Sequence, residues 1–142
     1  MENSISIFCD GGALGNPGPA ASAFTVKGGG EIFYQESKKI GHATNNVAEY
    51  KAVIFALLWL KENRQTITKS DKINFFLDSE LVVKQLNGLY KIKNESLRIL
   101  AIKVKRLENE INLKITFTHI KRAKNQTTDT LIKKILNPQK TS

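Results

Sequence analysis

Two short stretches of the chain read alike: Ile5-Ser6-Ile7-Phe8-Cys9-Asp10 and Ile73-Asn74-Phe75-Phe76-Leu77-Asp78. Each is an apolar, β-prone run that ends in aspartate. If the two lie parallel as neighbours, their carboxyl ends sit about 4.8 Å apart, on the edge of a sheet where α/β proteins bind ligands. Two carboxylates that close repel, so one must take up a proton or a cation must sit between them. Oxygen donors with no histidine or cysteine beside them select hard ions, Mg²⁺ or Mn²⁺. Glu49 extends the set, because it is the only acid in the apolar run 47–61 and an unpaired charge there is costly. Asp129 is the fourth candidate, in the first turn of the last expected helix. Each acid also has a plainer reading. Asp10 suits a turn before Gly11-Gly12, Asp78 a helix cap, Glu49 a capping box with Asn46, and Asp129 the positive end of a helix dipole. Spacing alone does not make the four converge; a fold must.

The elements that would position them follow from periodicity and punctuation. Segment 4–9 is a strand that stops at Asp-Gly-Gly, and Gly15-Asn16-Pro17-Gly18-Pro19 is a loop by its turn chemistry. Segments 20–27 and 31–40 flank Gly28-Gly29-Gly30 as a hairpin. Residues 47–61 are apolar almost all round, which predicts a helix buried against a sheet, with Trp59 in the core. Segment 73–77 is a second apolar strand, and 79–87 a short helix ended near Gly88. Leu97, Leu100, Ala101, Val104 and Leu107 have helical spacing within 95–109; 113–119 alternates as a strand. A last helix over about 127–137 stops before Pro138, and 138–142 is a polar tail. The order β-β-β-α-β-α-α-β-α predicts an α/β protein, a five-stranded mixed sheet with helices on both faces. A right-handed crossover lets the 73–77 strand lie parallel beside the 4–9 strand.

Composition bounds the partners. A chain of 142 residues with 41% hydrophobic and 25% charged residues is expected to be one soluble domain, here 1–137 plus the tail. A lone cysteine, Cys9, excludes an internal disulfide and a structural zinc cage, and reads as a buried strand residue. No apolar run approaches the roughly 18 residues of a membrane span, and the start of the chain lacks a signal-peptide pattern. The expected compartment is the cytoplasm, and a monomer is the default. The net charge of +9 arises entirely in residues 72–142; residues 1–71 carry seven charges of each sign. Within 84–106, Lys84, Lys91, Lys93, Arg98, Lys103, Lys105 and Arg106 face only Glu95. So one-sided a charge points to a polyanion, nucleic acid before an anionic membrane, unless it only solvates a helix face.

Asp10-Gly11-Gly12 with Gly15-Asn16-Pro17-Gly18, then Thr44-Asn45-Asn46-Val47-Ala48-Glu49, then Asp78-Ser79, then Asn125-x-x-x-Asp129 resemble, in that order, the motifs of type-1 ribonuclease H. The likeness runs from about residue 4 to 137. It implies the ribonuclease H-like fold in a compact form, and a two-metal endonuclease cutting the RNA strand of RNA/DNA hybrids to 5′-phosphate and 3′-hydroxyl ends. By the same resemblance Asp10 would bridge two Mg²⁺ ions, with Mn²⁺ a possible substitute. Asp129 would help hold the ion that activates water, and Glu49 and Asp78 the ion at the leaving oxygen. Asn16, Asn45 and Asn46 would sense 2′-hydroxyls; Thr44 and Asn94 would grip a DNA phosphate; Lys91 and Lys93, within the basic run, would follow the duplex backbone. Arg122 stands nearest to where many relatives carry a loop histidine, while His119 is expected to be structural and His42 to sit on an exposed loop. Glu80 replaces a glutamine common in relatives; Thr128 and Thr130 flank Asp129 where relatives usually have small apolar residues before and mixed residues after, which implies looser packing of the last helix; and no basic handle fits between 88 and 96. A non-catalytic binder of hybrid or double-stranded RNA, and a DNA-acting relative on the same fold, are the competing expectations.

Overall fold

A computed structural model describes residues 4–65, 67 and 72–138; the expected polar tail lies, apart from Pro138, outside the described residues. Strands β1 (Ser4–Ala13), β2 (Gly18–Gly28) and β3 (Glu31–Ala43) form an antiparallel meander, and β4 (Lys72–Leu77) and β5 (Lys114–His119) add parallel strands. The sheet order is β3-β2-β1-β4-β5. Helices α1 (Asn45–Glu62), α2 (Glu80–Leu86), α3 (Glu95–Ile111) and α4 (Gln126–Leu136) complete the fold, with a 3₁₀ turn at Arg122–Asn125 leading into α4. Expected and observed element order agree.

Helix α1 begins where Thr44 Oγ1 accepts from the Val47 N–H at 3.2 Å, a side-chain N-cap. It is apolar on nearly every side because the sheet and α3 cover it from different directions. Tyr50, Val53, Leu57 and Leu60 are fully buried, each worth about 1.5–3 kcal/mol on removal from water. Trp59 is only partly buried; its ring stacks on Tyr34 of β3 at 5.3 Å, so it seals an edge of the core and does not fill the centre. Helix α4 covers the opposite face, where Ile132 packs on Ala21 and Ala23 of β2. Thr128 does not loosen that packing. It is buried, with Oγ1 3.0 Å from Thr25 Oγ1 and 3.4 Å from the Phe8 carbonyl oxygen, so its hydroxyl is satisfied.

Strand β1 does not end at Asp10. Its parallel pairing with β4 stops at Cys9–Leu77, but the antiparallel pairing with β2 continues to Ala13–Ala20. The small residues Gly11, Gly12 and Ala13 permit this, because α1 descends onto the strand there. A Cβ on Gly11 would stand 2.3 Å from the Ala48 carbonyl carbon and 2.4 Å from the Glu49 nitrogen, both backbone atoms. Gly11→Ala should therefore cost at least about 3 kcal/mol in urea unfolding or prevent folding, the range of severe overpacking. Gly29→Ala, in the hairpin turn with φ +59° and open space around it, should cost only about 1–2 kcal/mol. Equal losses at the two sites would show that helix α1 does not press on the strand.

Candidate functional site

The carboxyl ends of β1 and β4 and the first turns of α1 and α4 meet in an open cavity of about 350 Å³. Asn45, Asn46, Glu49, Asp78, Arg122 and Asp129 line it. Asp10, 3% exposed inside β1, adjoins the lining acids Glu49 and Asp78. Register places it there: Phe8 and Phe76 stack across the strands at 5.1 Å, and Asp10 and Asp78 each follow two residues later on the same face. Oxygens of Asp10, Glu49 and Asp78 lie within 4.8 Å of one another.

The plainer readings of Asp10, Asp78 and Glu49 do not hold in the fold. Asp10 is in a strand, not a turn. The cap of α2 is Ser79, which accepts from Val82 N–H at 3.3 Å, not Asp78. The cap of α1 is Thr44, so Asn46 and Glu49 form no capping box. Glu49 is 5% exposed; its Oε1 accepts from the Gly11 N–H at 3.3 Å, while Oε2 is buried with no hydrogen-bond partner. Asp129 sits in the first turn of α4 as the dipole reading had it, but it also faces the cluster. Its charge and a side-chain hydrogen bond both push the pKa of Asp10 up. Its Oδ2 lies 3.0 Å from Lys133 Nζ, one turn along.

Burial is the largest perturbation. It drives Asp10 from an ordinary 3.8 up to about 7, with Asp78 and Asp129 adding repulsion, although a hydrogen bond from Glu49 pulls the other way. Glu49 is raised well above the usual carboxylate range by burial, then by the charge and hydrogen bond of Asp10. Burial also holds the Cys9 thiol protonated and inert beneath them. Three convergent oxygen donors, one wholly unpartnered, fit a hard divalent cation. The cluster could hold a metal ion that neutralises what protons otherwise must.

The remaining expected site residues lie partly at this cavity and partly elsewhere. Asn45 Oδ1 accepts from Ala13 N–H and Asn16 Oδ1 accepts from Asn45 N–H, both at 2.9 Å; this pair ties the loop before β2 to the start of α1 beside the cavity. Arg122 reaches the cavity from the 3₁₀ turn and forms no ion pair among the described residues. Thr44 and Asn94 cap α1 and α3 respectively, and no hydrogen bond joins them. Lys91 and Lys93 are exposed in the α2–α3 connection, away from the acids. His42 lies in β3 opposite Pro19, not on a loop, because β3 runs on to Ala43. His119 is exposed at the end of β5. Glu80 is held by Lys84 at 2.6 Å, which lowers its pKa and offsets its charge.

Asn125 was not among the expected site residues. It is buried, and its Nδ2 donates to the Cys9 carbonyl at 2.9 Å and to Asp78 Oδ2 at 3.2 Å. The only hint in the sequence is its place in the Asn125-x-x-x-Asp129 spacing.

Comparison with known proteins agrees with this geometry. The family model for RNase H matches residues 2–137. A ribonuclease HI of Halobacterium salinarum is 35% identical over 134 residues, 94% of this chain. The chain spans 64% of that relative's length and 34% of a relative from Mycobacterium tuberculosis. The structure of an RNase H1 isolated from compost by a metagenomic approach superposes with a TM-score of 0.90 at 36% identity, covering 96% of this chain and 98% of that one. The same enzyme in complex with RNA/DNA hybrid gives 0.84 at 37% identity over 92% and 94%.

A carboxyl whose pKa is higher in the fold than in the unfolded chain holds its proton more tightly when folded. The stability contributed by Asp10 is therefore complete below pH 3.8 and is lost as pH rises toward 7. In EDTA, the melting temperature of the wild type relative to Asp10→Asn should fall by several degrees between about pH 4 and about pH 7. Added Mg²⁺ should recover the loss at the upper end. Parallel melting curves for the two proteins would contradict the assigned perturbation.

Proposed function

This chain belongs to the ribonuclease H family, and from that premise we propose that it hydrolyses the RNA strand of RNA/DNA hybrids by two-metal catalysis, leaving 5′-phosphate and 3′-hydroxyl ends. The observation that carries the reading is the meeting of Asp10, Glu49 and Asp78 within 4.8 Å in a chain of net charge +9. A protein that only bound a polyanion would gain nothing from buried like charges at its centre. Two divalent ions, Mg²⁺ first and Mn²⁺ as substitute, would supply a clamp on the entering and departing oxygens of an in-line displacement. Asp10 stands between the other acids and would be shared; Glu49 and Asp78 would serve one side and Asp129 the other. Arg122, a cation with no ion pair among the described residues, would meet a phosphate beside the acids, and the imidazole of His119 would stay outside the chemistry.

The asparagines would select the substrate. Asn16 and Asn45 already use their amide oxygens on backbone N–H groups, which leaves the NH₂ ends to donate to a ribose 2′-hydroxyl. Thr44 and Asn94 would hold a phosphate of the DNA strand at the two helix starts they cap. Of the seven cations in 84–106, Lys84 is committed to Glu80, and Lys105 to Glu108 and the Leu86 carbonyl. Lys91, Lys93, Arg98, Lys103 and Arg106 remain for the duplex backbone. The reading is of a cytoplasmic monomer, with double-stranded RNA a secondary substrate.

The proposal is tested by incubating labelled hybrid, double-stranded RNA and DNA with Mg²⁺ or EDTA. Hybrid should be cut only with the metal. Asp10→Asn should lose at least about a hundredfold in rate while binding hybrid as well as the wild type or better, since repulsion toward phosphate is removed. Cutting by Asp10→Asn at the normal rate, or of DNA alone, would sink the assignment. In binding assays across salt concentrations, Lys91→Gln with Lys93→Gln should reduce the log–log slope by about 1–2, one increment per lost phosphate contact. An unchanged slope would place the basic footprint elsewhere.

A further inference from the structure

We propose that Asn125 is a positioning residue that fixes the spacing between the acids of β4 and α4, and with it the affinity of the site for its cations. The inference rests on the nuclease reading above but concerns a side chain outside the acid set. Asn125 lies 116 residues from Cys9 and 47 from Asp78, yet its single amide nitrogen reaches both. Its two hydrogens are thereby used, one on the carbonyl where the β1–β4 pairing stops, the other on a carboxylate of the cluster. Four residues later, one helical turn on, comes Asp129. Through it the residue at the N-cap of α4 is joined both to the backbone of β1 and to the carboxylate that follows β4.

Two local disadvantages argue that this placement serves the site and not the fold alone. Asparagine is a favoured N-cap, and Asn125 stands at the N-cap of α4, but its side chain makes no capping bond. Its Oδ1 is buried without a partner. Turning the amide over would not help, because Oδ1 would then face the Cys9 carbonyl oxygen and the Asp78 carboxylate. The chemistry admits only the orientation with the NH₂ group toward the acid, and the unpaired oxygen is what that orientation leaves behind. Thr128 provides the contrast. It fastens the same turn of α4 to Thr25 and Phe8 with its hydroxyl satisfied and touches no acid of the cluster.

The experiment compares the wild type with Asn125→Ala, with the isosteric Asn125→Asp, and with Thr128→Val. Each protein is titrated with Mn²⁺ by calorimetry without nucleic acid. The Mg²⁺ concentration for half-maximal hybrid cleavage, kcat and KM are then measured at a temperature where thermal melts show every variant folded. Asn125→Ala should weaken Mn²⁺ binding and lower kcat by about 10–100-fold, as for other residues that orient metal ligands, with KM for hybrid within about twofold. Asn125→Asp keeps the volume but loses both donors, so it should not restore either quantity. Thr128→Val should melt earlier and leave Mn²⁺ affinity and the Mg²⁺ requirement unchanged. If Asn125→Ala does not fold, Asn125→Asp carries the test alone. Wild-type metal dependence in whichever Asn125 variant folds, or an equal loss in Thr128→Val, would overturn the proposal. A wild type that neither binds Mn²⁺ nor cuts hybrid would instead overturn the nuclease reading.

Discussion

The site depends on keeping like charges together. Three carboxylates within 4.8 Å, two of them nearly devoid of solvent, are a configuration that a chain left to itself avoids. At an effective dielectric near 20, each ionised pair at that separation repels by about 3 kcal/mol, before any loss of hydration. The fold withstands this because the acids sit on elements whose positions are set elsewhere. Asp10 is carried by the central strand β1, and Asp78 follows directly on its parallel neighbour β4; both strands are held by apolar residues in the core with α1. Glu49 is carried by a helix with one side on the sheet and another on α3, so it has no easy route to water. The absence of a side chain at Gly11 lets that helix come down far enough for its acid to reach the strand, and the Gly11 N–H donates to the Glu49 carboxylate. Packing remote from the site thus confines the charges, and the charges make a place for a hard cation.

How much of this was legible follows from the range of the signals. The two apolar runs ending in aspartate are local, and so are turn glycines and helical stripes; the parallel pairing of β1 with β4 follows from them and from crossover handedness. The extent of β1 was not legible. Gly11 and Gly12 look like a turn in sequence and become strand only because β2 supplies partners as far as Ala20. Glu49 was ambiguous for a similar reason. Asn46 and Glu49 have the spacing of a capping box, but Thr44 starts the helix two residues earlier and takes the cap. Asn125 is the limiting case. Its partners lie 47 and 116 residues away, and nothing in its neighbourhood distinguishes it from an ordinary N-cap asparagine.

The positive charge was legible as a total but not as an inventory. Lys84 and Lys105 look in sequence like the other cations of their run. In the fold one is bound to Glu80 and lies over the Tyr90 ring, and the other is bound to Glu108 and the Leu86 carbonyl. A lysine that already has an acidic neighbour contributes less to a counterion-release footprint than one facing solvent. The same accounting changes Glu80, which reads as a repulsive substitution beside the site until its partner one turn along is seen. Its charge is offset where it arises by Lys84.

These two features, a buried acid cluster and cations on the helical side that form no ion pair among the described residues, act in opposite directions on a phosphate. On the proposed reading the cations would attract a duplex from several ångströms away, while the bare cluster would repel the phosphate that came closest. The raised pKa values of Glu49 and Asp10 let protons relieve part of that repulsion. A divalent ion removes it and turns the cluster from repulsive to attractive. Binding of the ion and binding of the polyanion therefore favour each other, because each lessens the electrostatic cost of the other. Catalytic competence in such a site is a property of the assembled complex, and the protein contributes the rigid confinement of the carboxylates that makes that assembly favourable.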